Sequence, residues 1–599
     1  MKKNFKIFIS IIILTSFASC SKQLLEKTPL DIITSDVVWN DQALIDAYLT
    51  GAYSDMYVFE LDNTHHITSS DGAGGHFTVF AINSISDEAW STHTWSFNAN
   101  AYKNGGLKIN GGLLEWWDEG YKVIRVLNEF IENVSAAPVD PSFKTERVAE
   151  ARFLRAYAYF ALVERYGGVP LITKVQNIDA PKDSINRKRA TEQAVYDFVI
   201  SECKSIADVL PETQSATDYG RPSKYAALAL ECRAALYAGS IANFGMVQLD
   251  GVVGIDQSKK DSYYQLAYDA ADQIIKGGLF ELYDKYADDK VKNFRQLFID
   301  EMPQNREVIF ARPHDNISPD KNGNGWTYDF FQAPTPNAWG QGTQDGPYLE
   351  TAEVFEHVDG SSGKLDFASI EQGLWTMEEL WANKDPRFYA SIFTMNTIWQ
   401  GKKLDGHNGI LKPDGTVTTQ SFNGILGKGP SNLKTGFGVM KYLDESFDNM
   451  GDFTTSSQDY IIFRYGEILL NFAEAAFNLG KTNDALDAVN QIRERAGIAL
   501  LTSVNEDKIR HERQVELMFE GHRYWDLRRW RIATEVLSVN RSGLRYIQDA
   551  GTGKFKLSVI HNMDGTVSTP QFYPQNYYLP VTLDRTSKNH NLVENPGYH

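Results

Sequence analysis

The stretch from residue 460 to 531 constrains the fold more than any other part of this 599-residue chain. Apolar residues recur at Tyr465, Leu469, Phe472, Ala476 and Leu479, in steps of three and four, so one face of a helix is apolar along its length. Gly480 ends that helix, because glycine enters the left-handed conformation at no steric cost. Asn483 is placed to cap the next helix, where Ala485, Val489, Ile492 and Ala496 repeat the spacing ahead of Gly497. Two helices joined by a short turn and rich in small residues make a helical hairpin of tetratricopeptide type, a unit that buries its apolar faces by stacking on neighbours.

Neighbours are predicted at the other end of the chain. Asp41 caps a helix carrying Leu44, Tyr48 and Ala52, and another runs over residues 113–134. In residues 150–162, Ala151, Leu154, Ala158 and Ala161 form one apolar face while Phe153, Tyr157 and Phe160 form a second, so this helix packs on two sides. It stops at Gly167-Gly168-Val169-Pro170, glycine past the end and proline behind it. Further helices are predicted over 191–210, from Ser223 through the alanine-rich run Ala226 to Ala235, and over 262–276. From about 280 to 458 the periodicity fades and glycine, asparagine and aromatics rise. Pro413-Asp414-Gly415 marks a hairpin there, and Asp564-Gly565 a similar one near the end. The expected fold is mostly α: a tetratricopeptide-like helical scaffold from both chain ends (about 36–280 and 458–535), with an irregular, short-hairpin insertion packed on it.

The N-terminus is an export signal. Lys2, Lys3 and Lys6 precede an apolar run that is well short of the roughly 20 residues of a spanning helix. Ala18-Ser19-Cys20 follows, in the manner of a bacterial lipobox. Residues 1–19 are therefore read as a lipoprotein signal peptide and 20–599 as a single mature domain with lipid on Cys20, which anchors the protein to the outside of a bilayer. Only Cys203 and Cys232 remain, both in helical patterns where buried free thiols are expected. The formal charge of −18 disfavours nucleic acid and anionic lipid as partners.

No nucleophile motif, Walker loop or dinucleotide fingerprint is present. Glu512, Glu516 and Glu520 recur every fourth residue with Arg510 and Arg513 among them, the pattern of a salt-bridged helix face rather than a catalytic pair. No cofactor is expected. The one metal-like phrase is Asp320-Lys321-Asn322-Gly323-Asn324-Gly325, half of a calcium loop with Asp320, Asn322 and Asn324 at alternate positions; Phe331 stands where its bidentate glutamate belongs, so a polar turn is preferred.

Several phrases then carry a resemblance. Arg464-Tyr465-Gly466-Glu467-Ile468-Leu469-Leu470, Ala473-Glu474-Ala475, Ile492-Arg493-Glu494-Arg495-Ala496-Gly497, Glu512-Arg513 and Glu520-Gly521-His522-Arg523-Tyr524-Trp525-Asp526-Leu527-Arg528-Arg529 resemble, in order, the C-terminal half of the SusD/RagB family of Bacteroidetes surface lipoproteins. The arginine-and-tyrosine helix before Gly167, Gly220-Arg221-Pro222-Ser223 and Asn595-Pro596-Gly597-Tyr598 are similar to the rest of that family. The resemblance implies a SusD-like fold and a non-catalytic protein on the outer membrane, facing the cell exterior. It further implies capture of oligo- or polysaccharide and delivery to a SusC-like TonB-dependent transporter. A peptide-capturing RagB-like member and an α-helical glycoside hydrolase are the alternatives.

Ligand chemistry is expected in the irregular segments, about 60–112 and 280–458, because loops on a rigid scaffold commonly carry binding function. A sugar ring presents an apolar face of C–H bonds and a rim of hydroxyls, so it calls for a flat aromatic platform flanked by amide or carboxylate groups. Trp90, Trp95, Asn98 and Tyr102 in the first segment and Trp326, Tyr328, Trp339 and Gln341 in the second are the candidate ligand-binding residues. Trp375, Trp381 and Trp399 follow, whereas Trp116, Trp117, Trp525 and Trp530 lie in helices and are read as packing.

Overall fold

The computed structural model describes residues 35–60, 81–92, 99–103, 105, 114–318, 321, 323–334, 342–418, 433–447, 455–565 and 569–598. Its principal helices are α1 (Gln42–Ser54), α2 (Trp117–Ala136), α3 (Pro141–Tyr166), α4 (Glu192–Ile206), α5 (Lys224–Phe244), α6 (Lys260–Gly277), α7 (Tyr465–Asn478), α8 (Thr482–Ala496), α9 (Glu506–Glu516) and α10 (Arg523–Arg529). The larger or site-forming strands are β1 (Ala89–Ser91), β2 (Val308–Arg312), β3 (Asp345–Pro347), β4 (Gly409–Leu411), β5 (Val417–Thr418), β6 (Tyr460–Arg464), β7 (Gly543–Asp549) and β8 (Phe555–Ile560). The fold is mostly α, as expected.

Each helix from α2 to α8 packs on the next, including α6 on α7, although residues 278–464 separate those two in sequence. The helical array is thus continuous in space across the insertion. Antiparallel pairing of β2 with β6 joins the two ends of that insertion: Tyr460 lies opposite Arg312, and the Tyr465 N–H donates to the Glu307 carbonyl (2.8 Å). Small residues set the helix spacing. The alanines of α5 are buried, and a Cβ on Gly239 would stand 3.0 Å from the Tyr264 ring of α6, so any larger residue would push that ring back by a few tenths of an ångström.

Side chains cap the N-termini of α1, α3, α4, α5 and α9. The Asp41 carboxylate accepts from the Ala43 and Leu44 N–H groups (2.8 and 3.2 Å), and Ser223 caps α5. The buried stripe of α1 is Ile45, Leu49 and Ala52; Leu44 and Tyr48 flank it. Gly497 (φ 76°) ends α8 in the left-handed helical conformation, and Gly167 ends α3 at positive φ (74°). Asn483 is not a cap. The Lys481 N–H folds back to the Ala476 carbonyl (2.8 Å), which tightens the turn after Gly480, and α8 begins at Thr482.

The β4–β5 hairpin forms around Gly415 (φ 82°) where the sequence signals it, and β4 adds in parallel to β7 of the β7–β8 hairpin. Asp564-Gly565 does not turn that hairpin. It lies beyond β8, and the Asp564 carboxylate is buried against the Tyr348 hydroxyl, which donates to it. Trp116, Trp117, Trp525 and Trp530 are buried, as are Trp381 and Trp399, which serve as core of the insertion rather than as ligand platforms. Cys203 and Cys232 are buried free thiols.

The phrases that carry the family resemblance form a buried ionic lattice. Arg464, 1% exposed, donates to Glu307 (2.7 Å), Glu516 (2.7 Å) and Glu520 (2.7 and 2.8 Å). Arg387 bonds Asp385 (2.8 Å), Glu512 (2.6 Å) and Glu516 (2.9 Å), while Arg493 and Arg495 complete Glu512 and Glu307. Arg233 pairs with Glu467 (2.6 Å), Arg513 with Asp526 (2.7 Å), and Arg529 with Glu474 (2.7 Å). Arg495, Arg464 and Arg387 hold the Glu516 carboxyl well below the usual carboxylate range, against the opposing effect of burial. The partners come from the insertion, β6 and α8 rather than from α9 itself; Arg510 turns instead to Glu506 (2.6 Å).

Candidate functional site

Two of the aromatic-rich segments meet by strand pairing. β1 runs antiparallel to β3, with Trp90 opposite Gly346 and Ser91 opposite Asp345. A Cβ at Gly346 would stand 2.9 Å from Thr435 Oγ1 and 3.2 Å from Thr92 Cγ2, so the absent side chain lets a third segment close over the pair. Past β1, the Thr92 N–H donates to the Gln344 carbonyl (2.9 Å) and its hydroxyl to the Thr343 carbonyl (2.6 Å). Asp345 fastens both sides: it accepts from the Ser84 hydroxyl (2.5 Å) and the Gln332 amide (2.9 Å), and its own N–H donates to Gln332 Oε1 (3.1 Å). Burial raises its carboxyl from 3.8 to about 7 despite these donors.

The third segment arrives with Lys434. Its ammonium donates to the Thr92 carbonyl (2.9 Å) and lies 5.2 Å from the centre of the Trp90 ring. Trp90 is half-buried and therefore still presents indole surface at the junction of three segments. Tyr102 is also half-buried and edges a small apolar crevice with Ile85, Leu537 and Phe572, rimmed by the amides of Gln571 and Asn576. The adjacent Lys103 pins Tyr102 in place: its ammonium donates to the Ala89 carbonyl (2.6 Å) and the Tyr348 hydroxyl (2.5 Å), 3.7 Å from Asp564. Burial lowers Lys103 from 10.5 to about 8.

Trp326 and Tyr328 belong to a neighbouring aromatic stack. The Trp326 ring lies parallel to His314 (4.8 Å) and near-parallel to Tyr328 (5.1 Å), and meets Tyr442 and Tyr460 edge-on. Trp326 is half-buried. Tyr328 is 1% exposed, and its hydroxyl donates to the Lys441 carbonyl, so its ring supports the stack instead of facing a ligand. The short helix Tyr328–Gln332 links this stack to Asp345 and hence to Trp90. Trp95, Asn98, Trp339 and Gln341 lie outside the described residues, as do Cys20, Asp320 and Asn322. The Asn324 side chain donates to the Pro313 carbonyl and its N–H to Asp315 (2.9 Å). Sequence reasoning missed Lys434 and Thr92; what marks them is their place in a stretch without acidic residues.

A helical-repeat scaffold that brings distant loop segments together around half-buried aromatic rings has the architecture of a binding protein. The chain belongs to the SusD family: the model described as "SusD family" matches residues 306–598, and one described as "Starch-binding associating with outer membrane" matches residues 24–236. It is similar to SusD-like protein P38 of Formosa agariphila, with 27% identity over 70% of this chain and 73% of that one. SusD-like protein P2 of the same organism is 22% identical over the full length of both. Among solved structures, a SusD-like protein of Bacteroides fragilis superposes with a TM-score of 0.72 at 25% identity, covering 96% of this chain and all of that one. Surface glycan-binding protein A of Bacteroides thetaiotaomicron, solved in complex with laminarihexaose, shares the fold with a TM-score of 0.60 at 19% identity over 92% of this chain and 98% of its own.

Proposed function

We propose that this protein is a non-catalytic, lipid-anchored protein of the outer membrane. It captures oligo- or polysaccharide on the face built around Trp90 and passes it to a SusC-like TonB-dependent transporter. The observation that carries this reading is the convergence of β1, β3 and the Lys434 segment on a half-buried indole. Such a ring accepts the C–H face of a sugar, and the surrounding loops supply polar groups for its rim. A protein of the same fold holds laminarihexaose, which supports glycan as the ligand class. Capture without cleavage fits the α9 cluster, where Glu307, Glu512, Glu516 and Glu520 are buried and bonded to arginines. The basic, apolar leader ending at Cys20 supports the anchor.

Native affinity electrophoresis through gels that each contain one polysaccharide tests the reading. Retardation by at least one, with no release of reducing ends, is the expected result. Binding of peptides with no retardation by any polysaccharide would refute it, and so would turnover of a retarding one.

A further inference from the structure

Lys434 stands out as a half-buried cation in an acidic chain. Its ammonium has the Thr92 carbonyl and the Trp90 ring beside it, and burial alone depresses its pKa. Among the described residues no carboxylate forms an ion pair with it. Of the more deeply buried lysines, Lys103 and Lys441 keep Asp564 (3.7 Å) and Glu520 (2.8 Å) as counter-charges, and Lys384 has three carbonyls where Lys434 has one. Holding an ammonium out of water costs free energy that one carbonyl and one ring face offset only in part.

The surrounding sequence has the same bias. Residues 89–114, 330–344 and 415–443, the stretches that meet at β1, β3 and Lys434, contain no Asp or Glu. The chain as a whole has 77 acidic residues in 599, about one in eight, so stretches of this length would ordinarily carry several. They do contain Lys103, Lys108, Lys428, Lys434 and Lys441. Whatever course residues 93–98, 335–341 and 419–432 take, they bring no carboxylate to Lys434. Asp345, the acid of β3, gives its oxygens to Ser84, Asn83 and Gln332. At physiological salt, charges farther than about 8 Å are largely screened. Near Lys434 the charge that counts is therefore the local one of these stretches, more than the net −18 of the chain.

We infer that Lys434 is an anion receptor beside the Trp90 platform, and that the glycan taken by this face carries acidic groups, uronate carboxylates or sulfate esters. The ammonium stands over one face of the indole, 5.2 Å from its centre, so a sugar that meets the exposed part of that ring brings its substituents within reach of donors for a charge-assisted hydrogen bond, roughly twice as strong as a neutral one. The inference rests on the glycan reading above and narrows it to a substrate class.

Affinity electrophoresis against neutral glucan and xylan, uronate-bearing polygalacturonate and alginate, and sulfated carrageenan tests it. Retardation by the uronate or the sulfated arm is expected, names the source of the charge, and weakens as salt is raised. Lys434→Gln should lower that affinity about tenfold, the loss of one hydrogen bond to a charged group. Lys434→Arg should retain it, as should Lys412→Gln on the β4–β5 hairpin. Matching melting curves for Lys434→Gln and the parent exclude misfolding as the cause. Retardation by neutral glycans alone, or acidic-glycan binding untouched by Lys434→Gln, overturns the inference and leaves glycan capture standing. Retardation by none of them overturns both.

Discussion

Replacing Arg464 with methionine tests whether the phrases shared with the SusD family are architecture rather than binding machinery. Its guanidinium donates to three buried carboxylates, Glu307, Glu516 and Glu520. Around it, Arg387, Arg464, Arg493, Arg495 and Lys441 match the fully buried Asp385, Glu307, Glu512, Glu516 and Glu520 in number, and the less buried Glu356 joins at Arg493. Arg464→Met leaves one buried negative charge in excess, and breaking a buried pair from one side costs about 3–5 kcal/mol. An unfolding entropy of about 2.1 cal/mol/K per residue over 599 residues gives roughly 1.3 kcal/mol/K, so the melting temperature should fall by about 2–4 °C. Arg464→Met with Glu520→Gln restores the balance and should lose less than the sum of the two single changes. Scanning calorimetry reads the first effect, and affinity electrophoresis at room temperature should find glycan retardation intact in every variant. A variant that melts like the parent but no longer binds would refute the reasoning.

Other outcomes follow from the same geometry. The Asp345 carboxyl titrates near 7 in the fold against about 3.9 in an unfolded chain, so its contribution is complete below the lower value and lost as pH rises through 7. Melting temperature should therefore drop more between about pH 4 and 7 in the parent than in Asp345→Asn. Glu474, held at about 2 by Arg529 and Trp530, works in the opposite sense: its contribution is present above about 4.3 and lost as pH falls toward 2, and Glu474→Gln should flatten the acid limb of the stability curve. Cys203 and Cys232 should resist a thiol reagent in the folded protein and react in denaturant, since burial pushes both thiols up. Cys20→Ser should move the protein from the membrane to the soluble fraction and abolish palmitate labelling.

The helices were legible because apolar spacing reports which side of a segment is buried, and Tyr465 to Leu479 shows it plainly. Long-range placement was not legible in the same way. That α6 docks on α7 across residues 278–464 depends on packing that no local period encodes. Glu512, Glu516 and Glu520 were recognisable as ion-paired, but spacing along α9 points to Arg510 and Arg513 as partners, while Arg387, Arg464, Arg493 and Arg495 approach from elsewhere. Tryptophan content marked the irregular segments without telling platform from plug: Trp90 stays half-buried, whereas Trp381 and Trp399 close the core of the insertion. Tyr328 looked like part of a face because its neighbours are loop residues, yet its hydroxyl finds a buried carbonyl and its ring a stack.

Isothermal titration of the retarding glycan against the parent and Trp90→Ala tests the central claim most directly. Losing the indole platform should remove about 1.5–3 kcal/mol, a tenfold or greater rise in Kd, with the fold intact by circular dichroism. An unchanged Kd in a folded Trp90→Ala protein would contradict glycan capture at this face.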